Sequence, residues 1–258
     1  MNKPYAKLIL FLILVVLAAL CLYWKASLTP PATNTPNGQE QVKKLPDPSE
    51  VKTQKFKDTS KAELEISGEY PVDVVGSDYI KGRIDSDILK FKADNDPARF
   101  STPVGEVMAF GPTADSPYSF VVSYKAYGNG MYLTHRVDTY TYTGGAHGGT
   151  TINAYTYNTQ GKLIAPEDLF VDQAAVTKFS ELVKRHAMEK NTDGMINTEW
   201  LAESAGPDVS NFSTFAINGS AIAIIFPQYS IAPYAAGIIE VSVPFSELQG
   251  ILKPEFLK

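Results

Sequence analysis

Two runs of strict alternation, Ser119 to Ala126 and Met131 to Thr141, flank Tyr127-Gly128-Asn129-Gly130, a turn carrying the glycines that tight hairpins demand. No helix accommodates a period of two, so this part of the chain must fold as antiparallel sheet. In the second run Met131, Leu133, His135, Val137 and Thr139 share a face, opposite Tyr132, Thr134, Arg136, Asp138, Tyr140 and Tyr142. His135 therefore points to the more apolar side and reads as a satisfied core histidine. The tyrosine-rich face reads either as a binding platform or as a half-buried layer under a helix. A further strand is expected over Thr150–Tyr157, turned by Asn158-Thr159-Gln160-Gly161. A second hairpin, Phe212–Ile217 and Ala221–Phe226, is expected to turn at Asn218-Gly219.

The helical signals are fewer. From the cap residue Asp172, the residues Ala175, Val176, Phe179, Leu182, Val183 and His186 form one stripe, with Lys178, Glu181, Lys184 and Arg185 facing out. His186, near the end of that helix, is explained by the helix dipole and carries no site role. Asn197–Ala205 reads as a short helix, Gly237–Val243 as a last strand and Phe245–Leu252 as a terminal helix. Nearer the N-terminus, alternation over Lys61–Pro71 predicts a strand. Ile80, Ile84, Ile88 and Phe91 recur at helical intervals behind Ser77 or Asp78 as cap. Recurring hairpins without regular strand-helix alternation predict an α+β fold: antiparallel sheets with a few covering helices, a small N-terminal strand-helix subdomain over 61–115 and a larger domain over 116–258.

Two stretches stand outside this periodicity. Tyr140-Thr141-Tyr142-Thr143-Gly144-Gly145-Ala146-His147-Gly148-Gly149-Thr150 places four glycines around one of only three histidines, so backbone rather than side chains shapes the loop. It is either a glycine-rich connection whose histidine bonds nearby backbone, or a site. Phe226-Pro227-Gln228-Tyr229-Ser230-Ile231-Ala232-Pro233-Tyr234-Ala235-Ala236-Gly237 is stiffened by two prolines and offers two large amphipathic rings, the chemistry of a preorganised contact surface. The alternative is a stiff strand connection whose tyrosines cap the core. The candidate ligand-binding residues are Thr143, Gly144, Gly145, His147, Pro227, Tyr229, Pro233 and Tyr234, with the two loops expected side by side.

Together these two loops, with Asn158-Thr159-Gln160-Gly161-Lys162, Asp168-Leu169-Phe170 and Val243-Pro244-Phe245-Ser246-Glu247-Leu248, resemble the C-terminal domain of unknown function shared by RsiV-type anti-sigma factors and PdaC-type peptidoglycan deacetylases. The resemblance covers about residues 130 to 252, and the strand-helix unit before it is similar to that domain's small N-terminal companion. It implies an exported module that binds lysozyme in the anti-sigma factors and precedes a separate catalytic domain in the deacetylases. Only residues 1–7 precede the first apolar run, and the length leaves no room for a deacetylase domain, so sigma-factor control and deacetylation are not carried over.

Leu8–Trp24 is free of charge, preceded by Lys3 and Lys7 and closed by Tyr23, Trp24 and Lys25. It reads as a membrane anchor within residues 1–25; a cleaved signal peptide, or a lipoprotein processed at Cys21, shares the same marks. Each places the remainder outside the cytoplasm, periplasmic or at the cell surface. A Pro/Thr-rich linker is expected over 26–60. Cys21 is the sole cysteine, which excludes an internal disulfide and any thiolate chemistry in the folded part. A net charge of −5 without a clustered basic face argues against nucleic acid. No metal-binding histidine pair, nucleophile elbow or phosphate loop is present, so neither metal nor cofactor is expected. The reading is a non-enzymatic envelope module that captures lysozyme or a similar wall-lytic enzyme, with or without inhibiting it. The alternatives are a peptidoglycan or other glycan-binding module and a cell-wall hydrolase using His147.

Overall fold

The structure is a computed structural model that describes residues 44–100 and 111–257. The expected anchor, with Cys21, lies outside the described residues; among those described, no helix is long and apolar enough to cross a membrane. The strands are β1 (Thr53–Asp58), β2 (Leu64–Pro71), β3 (Tyr118–Gly128), β4 (Tyr132–Tyr142), β5 (Gly149–Asn158), β6 (Leu163–Ile164), β7 (Phe215–Asn218), β8 (Ala221–Phe226) and β9 (Ile239–Pro244). The helices are α1 (Ser77–Asp94), α2 (Pro166–Leu169), α3 (Gln173–Lys190) and α4 (Thr198–Ser204). Strands β1 to β6 form one sheet in chain order and β7 to β9 a second, giving the expected α+β architecture. All pairings are antiparallel except β2 with β3, which are parallel because α1 crosses over between them.

The period of two dictates the layers. Leu64, Ile66, Tyr118, Phe120, Val122 and Val137 point to one face of the large sheet, where Ile80, Ile84 and Phe91 of α1 cover them. Tyr127 and Ile152 point to the other face and meet Ala216, Ala223 and Ile225 of the small sheet. The alternate residues of that sheet, Phe215, Ile217, Ile222, Ile224, Val241 and Val243, pack under Val176, Phe179 and Val183 of α3. The order is therefore helix, large sheet, small sheet, helix. The tyrosine-rich face of β4 lies under a second sheet rather than under a helix, because the second hairpin exposes an apolar row on each side and both must be buried.

Several local readings are corrected. The stretch expected to be linker up to residue 60 contributes a 3-10 turn at Pro48–Glu50 and then β1, whose Thr53 to Asp58 pair along β2. Its polar composition is that of an exposed edge, where lysines discourage pairing with another chain. The strands of the first hairpin run further than expected, since Gly128 still pairs with Leu133. In the second hairpin Asn218 pairs with Ala221, so the connection is Gly219-Ser220, with Gly219 at φ 56°. The terminal helix does not form. After a 3-10 turn at Phe245–Glu247 the backbone is claimed by the segment around Leu169: Val171 N–H donates to the Ile251 carbonyl at 3.1 Å and Lys253 N–H to the Leu169 carbonyl at 2.8 Å. Of the expected caps, Asp172 caps α3 through the Ala175 N–H and Asn197 caps α4, whereas α1 starts behind Gly76 with no side-chain cap, so neither Ser77 nor Asp78 serves. Phe212 closes a 3-10 turn, and the strand expected from it starts at Phe215.

Candidate functional site

The connection from β4 to β5 and the segment from β8 to β9 meet at the surface. In the first, Gly144 and Gly145 adopt φ of 93° and 91°, and the Tyr142 hydroxyl donates to the Gly145 carbonyl at 3.0 Å. Gly148 is needed for a different reason: a Cβ there would come within 2.4 Å of the Thr141 carbonyl oxygen and 2.5 Å of the Tyr140 ring. The bend so made leaves Thr143 to His147 exposed. In the second segment, Ser230 N–H closes a turn on the Pro227 carbonyl at 3.2 Å, and Ala236 N–H closes another on that of Pro233 at 2.9 Å. Ile231 between them is fully buried and pins the segment into the core. From α4, the Ser204 hydroxyl donates to the Ser230 carbonyl at 2.7 Å, while Asn197 N–H donates to that of Ile231 at 2.9 Å.

The His147 imidazole stacks on the Tyr234 ring with centroids 4.0 Å apart, and Tyr229 leans over both at 6.2 and 5.7 Å. His147 Nδ1 lies 2.9 Å from the Gly148 carbonyl and so carries the proton; Nε2 then accepts from the Tyr229 hydroxyl at 3.3 Å. Tyr229 is 55% exposed. It is held at φ 64°, a left-handed conformation unusual for a residue with a Cβ. Of the candidate residues, His147, Tyr229 and Tyr234 are thus in mutual contact. Thr143, Gly144 and Gly145 sit in the same exposed bend, and Pro227 and Pro233 open the two turns, with Tyr229 inside the first and Tyr234 inside the second. The cluster presents flat ring faces, two phenol hydroxyls and an imidazole. That is equipment for stacking and hydrogen bonding.

The other two histidines are structural. His135 is fully buried, with Nε2 donating to the Val75 carbonyl at 2.8 Å and Nδ1 accepting from the Tyr124 hydroxyl at 2.7 Å. Burial, against the pull of Val75, brings its pKa down to about 4. His186 pairs with Glu189 at 3.0 Å and Glu247 at 3.2 Å, tying α3 to the turn after β9. Among the described residues no group of three His, Cys, Asp or Glu is arranged to hold a metal ion.

One polar cluster was missed by the sequence reading. Arg136, almost wholly buried, makes a two-pronged bond to Asp138 at 2.7 Å and reaches Glu240 of the small sheet at 2.5 Å. The Tyr127 hydroxyl also donates to Glu240, at 2.8 Å, and Lys125 lies 3.3 Å from it. Burial alone would raise the Glu240 pKa, but Tyr127, Lys125 and Arg136 together hold it below the usual carboxylate range. Arg136 and Glu240 are 104 positions apart, and no spacing rule joins them.

An α+β body of two stacked sheets that displays a pair of aromatic loops is the class this geometry defines. Residues 167–246, from α2 to the turn after β9, match the family model described as "Protein of unknown function (DUF3298)". That match includes the Pro/Tyr segment; the glycine-rich bend lies before it. The peptidoglycan-N-acetylmuramic acid deacetylase PdaC of Bacillus subtilis (strain 168) is 30% identical over 119 residues, 46% of this chain and 26% of that protein. The chain thus spans about a quarter of that relative. Among solved structures, a DUF3298 family protein from Pseudomonas aeruginosa PAO1 aligns with a TM-score of 0.50 at 18% identity, covering 80% of this chain and 96% of that one. A member of the same family from Bacteroides fragilis NCTC 9343 aligns at 0.52 and 16% identity, covering 81% and 96%. Both share the fold.

Proposed function

We propose that this chain is a non-catalytic binding module of the cell envelope, held outside the cytoplasm by its N-terminal segment, that captures lysozyme or a similar wall-lytic enzyme. The observation that carries the reading is the contact of His147, Tyr229 and Tyr234 at the surface, on two loops whose backbones are fixed by prolines, a buried isoleucine and glycine turns. Rigid aromatic anchors of few rotamers lose little entropy on binding and suit insertion into a partner's cleft. Both imidazole nitrogens are engaged, one by the Gly148 carbonyl and one by the Tyr229 hydroxyl, which favours a binding surface over a general base.

A second reading is recognition of a glycan strand, with the rings stacking on sugars. It is favoured by the similarity to a protein named as a peptidoglycan deacetylase. Titration of the chain against lysozyme, against purified glycan strands and for turnover of those strands separates the readings. Lysozyme affinity without turnover is the expected result. Affinity for glycan alone supports the second reading, and turnover lost in His147→Ala overturns both in favour of a hydrolase.

A further inference from the structure

The loop pair is flanked by a helix face with no role in the core. Asn197 and Ser204, which bond the Ile231 and Ser230 carbonyls, bracket Trp200 on α4. At 3.6 residues per turn, positions 200 and 204 share one side of the helix, so Trp200 stands on the side whose Ser204 hydroxyl bonds the carbonyl of Ser230, next in sequence to Tyr229. It is 38% exposed, and Met195 just before the helix is 41% exposed. Trp200 and Met195 are thus large apolar side chains left in water at the helix that bonds the Pro/Tyr segment, on which Tyr229 is itself exposed.

Charge identifies what fits there. From Asn191 to Asp208 the chain carries Asp193, Glu199, Glu203 and Asp208 and no lysine or arginine. Asp193 and Asp208 are occupied in local turns, accepting from Met195 N–H and Ser210 N–H. Glu199 and Glu203 are one helical turn apart and exposed, and among the described residues neither forms an ion pair. Like charges at that spacing repel and destabilise a helix; a cationic partner relieves the repulsion. Glu203 lies three positions from Trp200 and so neighbours it on the helix surface, with Glu199 one turn before Glu203.

We infer that α4 extends the contact surface, with Trp200 a further anchor beside Tyr229 and Tyr234 and with Glu199 and Glu203 its acidic rim, and that the occupant is a basic protein. This rests on the capture reading and adds to it which face of the molecule is used and the charge of the partner.

The test uses the full chain with lysozyme as probe, followed by surface plasmon resonance at several salt concentrations. Trp200→Ala weakens binding at least about tenfold, chiefly through faster dissociation. Glu199→Gln/Glu203→Gln slows association and flattens its salt dependence, and because it relieves the repulsion within α4 the thermal midpoint does not fall. Unchanged affinity in the first variant, or an unchanged salt response in the second, overturns the inference while wild-type binding keeps the capture reading. No binding by the wild-type chain overturns both.

Discussion

The imidazole of His147 and the phenol ring of Tyr234 stack with planes 21° apart, although each belongs to a loop that joins strands of a different sheet. Neither loop could bring them together alone. The large sheet delivers the glycine bend at the end of β4, and the small sheet, packed on its face, delivers the Pro/Tyr segment at the end of β8. The aromatic cluster is therefore a product of how the two sheets pack.

Tyr229 is held left-handed at φ 64°, a conformation that costs a residue with a Cβ about 1 kcal/mol and costs glycine nothing. Tyr229→Gly is expected to leave the fold at least as stable, by up to about 1 kcal/mol in urea unfolding, while abolishing ligand capture. A loss of stability above about 1 kcal/mol would show that the ring holds the fold together rather than serving the surface.

What was legible in the chain follows from range. Alternation over β3 and β4 and the stripe of α3 are local, and the Asp172 and Asn197 caps are read from single residues. Where tertiary contacts compete, local rules fail. The apolar spacing of Phe245 to Leu252 suits a helix, yet the backbone around Ile251 pairs with that around Leu169 and Val171 instead. β1 was hidden because an exposed edge strand needs no apolar alternation, and Lys55 and Lys57 made it look like linker. The odd composition of the two loops marked them as unusual, but the meeting of His147 with Tyr234 depends on a sheet-on-sheet packing that no spacing encodes.

His135 makes the stability depend on pH in a defined window. The unfolded chain binds the proton near the ordinary 6.5 and the folded chain only near 4, so as pH falls between these values the unfolded state gains protons that the folded state cannot. The contribution is intact above pH 6.5 and lost by pH 4, amounting to about 3 kcal/mol. Chemical unfolding from pH 7 to 4 should show this fall in the wild type and a flatter profile in His135→Gln. Parallel profiles would assign the acid sensitivity elsewhere.

Arg136 clamps the two sheets by bonding Asp138 on one and Glu240 on the other. Removing it leaves Asp138 without its cation and Glu240 with only Lys125 and the Tyr127 hydroxyl, so Arg136→Met is expected to cost about 3 kcal/mol. Adding Glu240→Gln should return part of that loss, because the carboxylate stranded between the sheets is then neutral. Since Glu240 titrates below its ordinary range, its stabilisation is present above that range and disappears as pH falls through the folded value. Urea unfolding of the single and double variants measures the coupling. Strict additivity would mean that the two residues do not act as a pair.

The glycine-rich bend supplies the sharpest internal control, because two adjacent glycines differ in what surrounds them. At Gly148 an added methyl would overlap the Thr141 carbonyl oxygen and the Tyr140 ring, whereas at Gly149 it meets nothing within 4 Å. Gly148→Ala must push the bend away from β4, and His147, whose ring is fastened to the Gly148 carbonyl, moves with it. The expected cost is about 1–3 kcal/mol in stability, with loss of the ring-current shift that Tyr234 imposes on the His147 protons. Gly149→Ala should stay within about 0.5 kcal/mol of the wild type and keep that shift. If both variants retain it, the bend does not depend on the close approach at Gly148, and the placement of His147 over Tyr234 has to be set from the Pro/Tyr side alone.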